Sequence, residues 1–248
     1  MTDTNASPAR WPNWLLRISI VALIALPVMA LGSRFGLWPF GSAFTGSAVA
    51  IGLEAVILLV AIIGIIVMLM KNRPAERQTL ILTSLIALLP IIYAGYQVLQ
   101  AFSVPPIHNI STDVVNPPEF VMVPQLRGDG SNPLEYNKAE LVEAQQEAYP
   151  DVKTLKSSLS MQDAFSHART TVGKMGWEMV SDNEATGIIE ATETTFWYGF
   201  KDDIVIRIQA SDSGSLVDLR SVSRVGRSDV GANAARIKKF LNAFQQNN

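Results

Sequence analysis

The sequence has no cysteine in its 248 residues, and charged residues make up only 17% of it against 48% hydrophobic residues. Without a thiol, the chain cannot form disulfide bonds, thiolate zinc sites or cysteine nucleophiles. The low content of charge excludes a disordered chain or a protein that coats nucleic acid, because both depend on many charged side chains. This composition indicates a protein that lies at least partly in a membrane.

Charge is distributed unevenly between two parts of the chain. Residues 1–104 contain 6 basic and 3 acidic residues, whereas residues 105–248 contain 14 basic and 19 acidic residues. The sequence therefore predicts a membrane domain at 1–104, a proline-rich lead-in at 105–150 and an α+β domain at 151–248. The acidic balance of the second part argues against nucleic acid as a partner.

Three apolar stretches in the first part are long enough to cross a bilayer as helices, at about 15–31, 47–70 and 80–103. The first stretch could instead be a cleaved signal peptide, because Ala30-Leu31-Gly32 at its end resembles the small-residue pattern of a cleavage site. Five basic residues fall at one end of the three spans and only Arg34 at the other. This bias predicts a cytoplasmic N-terminus and a C-terminal domain across the inner membrane, in the periplasm of a Gram-negative bacterium.

One acidic residue, Glu54, is predicted inside a membrane span, at a depth similar to that of Tyr93, Tyr96 and Gln97 in the third span. An ionisable side chain at this depth has two interpretations. It can relay a proton or an ion, or it can be a hydrogen-bonded group that ties the second helix to the third. We favour the second interpretation, because only one such group is present.

The second part shows the pattern of a two-layer α+β fold. A helix is predicted to begin at Ser160, with Asp163 three residues later, and a last helix near Asp229. Between them lie four apolar-rich segments, at about 177–181, 187–200, 203–210 and 215–225. The order predicts an antiparallel four-strand meander flanked by helices. A further helical patch is predicted within the lead-in, at Lys138 to Ala148.

A hairpin turn with Ser213 and Gly214 in its centre would place Arg207 opposite Arg220. Two arginines directly opposite each other destabilise the sheet unless an anion lies between them. One interpretation is an intramolecular network of these arginines and Arg224 with Asp203 and Glu190. The other is a site for an anionic lipid headgroup, a glycan or a partner carboxylate. The residues of that site would be Arg207, Arg220, Arg224, Arg227 and Asn233, supported by His108, Asp113, Glu190, Asp202, Asp203 and Asp229.

Several ordered motifs in residues 105–244 resemble the domain of unknown function 1499 family. They include Pro-Pro-Ile-His-Asn-Ile-Ser-Thr-Asp at 105–113, Gly-Trp-Glu at 176–178, Tyr-Gly-Phe-Lys-Asp-Asp at 198–203 and Val-Asp-Leu-Arg-Ser-Val-Ser-Arg at 217–224. The chain departs from the family at Asn109, where the family often has aspartate after the histidine. The resemblance implies a domain of bacterial envelope and plastid proteins that often follows membrane helices, with no agreed activity.

No phosphate-binding glycine loop, zinc-ligand spacing or serine elbow is present, so we expect no catalytic residue, metal or cofactor. The main hypothesis is an inner-membrane protein whose periplasmic domain binds or scaffolds, with the lipid bilayer and an anionic lipid or an envelope protein as partners. Two alternatives remain open. One is an envelope enzyme that uses His108 with Asp113 or with Asp202 and Asp203, and the other is a small transport subunit that uses Glu54.

Overall fold

The computed structural model describes residues 9–246, and the chain forms two compact units. The first unit runs to Leu99 and also takes in Phe196–Gly199. The second unit contains Gln100–Thr195 and continues from Phe200. The segment 105–150 is therefore part of the same unit as the residues that follow it.

Three helices precede the sheet, α1 at Trp11–Arg34, α2 at Phe40–Met70 and α3 at Pro74–Ser103, and the first unit contains them as far as Leu99. Each is long and apolar enough to cross a membrane, which confirms the three spans predicted from the sequence. The helices extend beyond the predicted apolar stretches, by residues 40–46 in α2 and 74–79 in α3. The chain is therefore a membrane-associated protein.

The second unit is built on one antiparallel sheet. Its strands and helices are β1 at Asn109–Ser111, α4 at Lys138–Ala148, β2 at Leu155–Ser157, α5 at Met161–Lys174, β3 at Glu178–Asn183, β4 at Ile188–Thr194, β5 at Lys201–Ser211, β6 at Gly214–Ser223 and α6 at Ala232–Gln246. The strand order is β1-β6-β5-β4-β3, and β2 also pairs with β6. The antiparallel α+β architecture is confirmed, but the sheet has six strands rather than four. The two additional strands have only three residues each, which is too short for an alternating pattern to appear in the sequence.

One face of the sheet forms the apolar core with α5 and α6. The isoleucines of β5, Ile204, Ile206 and Ile208, are fully buried in this core. Helix α5 begins as predicted, because the Ser160 hydroxyl accepts a hydrogen bond from the Asp163 amide at 3.1 Å. In α6, Phe240 stacks on Trp177 with the ring centroids 5.6 Å apart. Burial of each large apolar side chain contributes about 1.5–3 kcal/mol to folding.

The register of the β5–β6 hairpin differs from the prediction by two residues. The two-residue turn consists of Asp212 and Ser213, and Gly214 is already the first residue of β6. Gly214 has a φ of +136°, and a Cβ there would lie 2.3 Å from the Ser157 carbonyl oxygen, so this glycine permits the close approach of β2. A register shift of two residues keeps each side chain on its predicted face of the sheet but changes every cross-strand partner. Arg207 therefore lies opposite Asp218 and not opposite Arg220, and Asp203 lies opposite Val222 and not opposite Arg224.

The second face of the sheet is covered by the chain itself. We call residues 112–136 the covering segment; it contains a short 3-10 turn at Val123–Leu126 and otherwise has no regular structure. Beneath it, Val205 and Val222 are fully buried, and so is Val123 of the segment. Most of the other side chains between the segment and the sheet are charged. The attachment of the segment therefore depends on polar contacts.

Candidate functional site

Asp203 anchors the covering segment to β5. Its side chain is fully buried and pairs with Arg127 of the segment at 2.5 Å and with Arg224 at 2.8 Å. Thr192 of β4 also donates a hydrogen bond to this carboxylate, at 2.8 Å. Burial lowers the pKa of Arg127, and the carboxylate of Asp203 opposes that shift. The carboxylate thus neutralises two guanidinium groups in a region from which water is excluded.

Glu190 of β4 holds the segment by its backbone. Its carboxylate is fully buried and accepts hydrogen bonds from the amides of Val121 and Met122, both at 2.7 Å, and of Val123 at 3.3 Å. Ser181 donates a fourth hydrogen bond, from its hydroxyl at 2.8 Å. Within residues 9–246, no ion pair joins Glu190 to an arginine. The structure thus separates Glu190 from the arginine network in which the sequence placed it.

Arg207 of β5 has carboxylate partners on both sides. Its guanidinium lies 2.9 Å from Asp113 and 2.9 Å from Asp218, and it donates to the Asn116 carbonyl oxygen at 2.8 Å. Burial favours the neutral form of Asp113, but hydrogen bonds from the Asn116 amide and Arg207 outweigh it, so the pKa of Asp113 is lowered. The Nε of Arg207 is buried and has no hydrogen-bond partner. Arg207 therefore keeps one unused donor.

Arg220 of β6 differs from the other buried arginines because it has no carboxylate partner in the described part of the chain. It is only 3% exposed and donates to Asn109 Oδ1 at 3.0 Å, to the Pro118 carbonyl oxygen at 3.1 Å and to the Leu134 carbonyl oxygen. Burial lowers the pKa of Arg220 to about 10. No carboxylate therefore contacts this buried charge, although the exposed Glu119 attracts it without an ion pair and opposes the lowering of its pKa.

Two aromatic rings enclose the Arg220 guanidinium. Its central carbon lies 5.4 Å from the ring centroid of Phe120 and 5.3 Å from that of Tyr136, within the range of cation–π attraction. Burial also raises the pKa of Tyr136 to about 12, so this phenol stays neutral beside the guanidinium. The sequence did not indicate Phe120, Tyr136 or Arg127, because they lie in a segment without periodicity.

A groove of about 790 Å³ lies between the covering segment and the sheet, beside Arg207 and Arg220. Its lining is mainly apolar, with charged groups at a few points. The lining residues are Val115, Asn116, Pro117, Glu119, Phe120, Val121, Pro124, Leu134, Glu135, Tyr136, Lys138, Ile188, Arg207 and Arg220. A mainly apolar groove with a few convergent polar groups is typical of a small-molecule site.

The remaining residues of the predicted anion site lie elsewhere, near the start of α6. The Asn233 amide donates to the His108 carbonyl oxygen at 2.9 Å, and Arg236 pairs with Asp202 at 2.5 Å. Asp229 accepts hydrogen bonds from the amides of Gly231 and Asn233, both at 2.8 Å. Burial raises the pKa of Asp229, although these hydrogen bonds oppose that shift. The amides at the start of α6 are therefore occupied by a carboxylate of the chain itself.

In the described part of the chain, no hydrogen bond joins the His108 ring to Asp113, Asp202 or Asp203, the partners named for an enzyme site. The Nδ1 atom of His108 lies 3.3 Å from the backbone carbonyl oxygen of Arg227, and Arg227 is an exposed residue. Asp202 and Asp203 are adjacent in β5 and belong to separate clusters, each paired with arginines. Within residues 9–246, no group of three or more His, Asp or Glu side chains could hold a metal ion.

Glu54 is fully buried in the first unit, and Ser19 of α1 donates a hydrogen bond to it at 2.8 Å. The prediction that Glu54 is hydrogen-bonded to the third helix is therefore wrong, because its partner, Ser19, lies on the first helix. Tyr93 and Tyr96 are 61% and 55% exposed, and Gln97 is exposed as well. The structure does not bring these three side chains to Glu54.

The comparison with protein families gives a match over residues 109–244, which is more than half of the chain and includes the sheet, the covering segment and both flanking helices. The matching family is described as "Protein of unknown function (DUF1499)". Among curated proteins, none matches the chain. With its three membrane-spanning helices followed by this antiparallel α+β domain, the chain belongs to the DUF1499 family.

Proposed function

We propose that this protein is a membrane-anchored binding protein of the cell envelope, which carries its α+β domain in the periplasm and holds an anionic ligand in the groove beside Arg220. The observation that carries the proposal is the buried guanidinium of Arg220, which borders the groove without a carboxylate partner among the described residues. A buried charge is costly unless an opposite charge compensates it. A bound anion supplies that charge.

The lining of the groove supports an anion over a cation. Its basic residues are Arg207, Arg220 and Lys138, and its acidic residues are Glu119 and Glu135. Both acidic side chains belong to exposed residues, where water screens them, whereas Arg220 is buried. The buried charge of Arg220 at the groove is therefore positive, and the exposed Glu119 offsets it only in part.

The proposed orientation has a direct test, since the chain has no cysteine of its own. Asp129 is exposed in the second unit, and Lys71 is exposed between α2 and α3. With the outer membrane permeabilised, we expect a membrane-impermeant maleimide to label an Asp129→Cys variant. A Lys71→Cys variant should react only after the inner membrane is opened. The reverse labelling pattern would overturn the orientation.

Binding is tested by calorimetry on the full chain in phosphatidylcholine nanodiscs, titrated separately with phosphate, glucuronate and dodecanoate. We expect at least one of these anions to bind at one site per chain. Lys138→Glu should weaken that binding about three- to tenfold, because it reverses an exposed charge at the groove. Lys239→Glu is the matched control on α6, and empty nanodiscs provide the blank. If none of the three anions binds, the proposed function is wrong.

A further inference from the structure

The geometry points to a single-chain amphiphilic anion as the occupant of the groove, with its charged group at Arg220 and Arg207 and its apolar chain along the covering segment. This inference rests on the proposed function and adds the chemical class of the ligand. It concerns residues of the second unit alone.

The two arginines that line the groove, Arg207 and Arg220, have hydrogen-bond donors without partners. A guanidinium has five N–H groups, and the bonds of Arg220 to Asn109, Pro118 and Leu134 use three of them. Arg207 adds its buried Nε, which has no partner. The two arginines are diagonal neighbours on one face of the sheet, because Val205 pairs with Arg220. A carboxylate or phosphate is the acceptor that such donors bind best.

The rest of the groove suits a hydrocarbon chain. Its walls carry Val115, Pro117, Val121 and Ile188, and Phe120, whose ring lies beside Arg220, also lines the groove. Val115 and Val121 are more than 60% exposed, so they present apolar surface that an occupant would remove from water. A small hydrophilic anion would leave these side chains exposed.

The covering segment also explains how a long ligand could enter. Between its attachments at Asp113 and Glu190, residues 115–120 contact the sheet through the carbonyl oxygens of Asn116 and Pro118, which accept from Arg207 and Arg220. The groove is therefore lined by a stretch that is fixed at both ends and is hydrogen-bonded between them through the carbonyl oxygens of Asn116 and Pro118. This arrangement accommodates an extended chain without unfolding the sheet.

The test uses a photoreactive dodecanoate with a diazirine in its chain, added to the full-length protein in phosphatidylcholine nanodiscs. After illumination, peptide mapping should locate the adduct in residues 115–124 or at Ile188. Excess dodecanoate should remove the adduct, hexanoate should compete at least about tenfold less well, and phosphate should not compete. Arg220→Gln should reduce labelling at least tenfold, whereas Arg227→Gln, an exposed arginine outside the groove lining, should not.

Two outcomes would overturn the inference. Adducts confined to α1, α2 and α3 would show that the probe reports membrane partition alone. If phosphate competed as well as dodecanoate, the ligand of the groove would be a small anion. That result would exclude an amphiphilic ligand but would leave the proposed function in place. Because Arg220→Gln removes structural hydrogen bonds, Lys138→Glu serves as the second variant. It places an acidic residue in the first turn of α4, which favours the helix, so a loss of labelling there reports on the charge of the groove.

Discussion

Replacing Asp203 with alanine is expected to lower the free energy of unfolding of the second unit by roughly 3–5 kcal/mol. The substitution leaves Arg127 and Arg224 without their shared carboxylate in a buried position. It also leaves the Thr192 hydroxyl without its acceptor. Unpaired buried charge is among the few causes of destabilisation this large. The midpoint of urea unfolding, followed by pulse proteolysis of the full chain in nanodiscs, measures the effect.

Asp129→Ala provides the matched control, because Asp129 lies in the same covering segment and is exposed. Its effect should stay within about 0.5 kcal/mol of zero. The loss of unfolding free energy for Asp203→Asn should lie between those of Asp203→Ala and Asp129→Ala, since the amide keeps one oxygen as an acceptor but not the charge. A loss below about 1 kcal/mol for Asp203→Ala would mean that water reaches both arginines and that the covering segment is not closed over them.

The regular part of the fold could be predicted from the sequence because its signals are periodic. Helix α5 shows its N-cap at Ser160, and the alternation in β5 assigned Ile204 and Ile206 to the core. The register was wrong because a serine-glycine pair and an aspartate-serine pair both suit a two-residue turn. Local turn preference cannot decide between them. The close approach of Gly214 to Ser157 of β2 favours the observed register, and this contact joins residues that are distant in the sequence.

The groove could not be predicted, because the segment that closes it has no periodicity. The proline-rich sequence predicted an extended, loop-rich lead-in without indicating that residues 112–136 cover a sheet face. The arginines were recognised from their positions in the strands, but their partners were not. Arg127 and Tyr136 reach the sheet only through the tertiary path of the segment. The sequence does not show tertiary contacts of this kind, which is why Asn233 and Arg220 were assigned to one predicted anion site although they belong to different clusters.

The attachment at Glu190 leads to the second large effect. Glu190→Ala is expected to lower the free energy of unfolding by about 2–4 kcal/mol, because three backbone amides and the Ser181 hydroxyl lose their acceptor. The loss should be smaller than for Asp203→Ala, since the released amides can turn towards water. Glu184→Ala, in the exposed turn before β4, is the control and should have almost no effect.

Hydrogen exchange distinguishes loss of this attachment from general destabilisation. In Glu190→Ala, the amides of residues 121–123 should exchange faster by far more than those of the β5–β6 pair, because their acceptor is removed directly. A uniform increase across both regions would indicate that segment and sheet open together. Since the covering segment forms one wall of the groove, its release should also abolish anion binding while the sheet stays folded. Glu190 would then control the site without contacting its occupant.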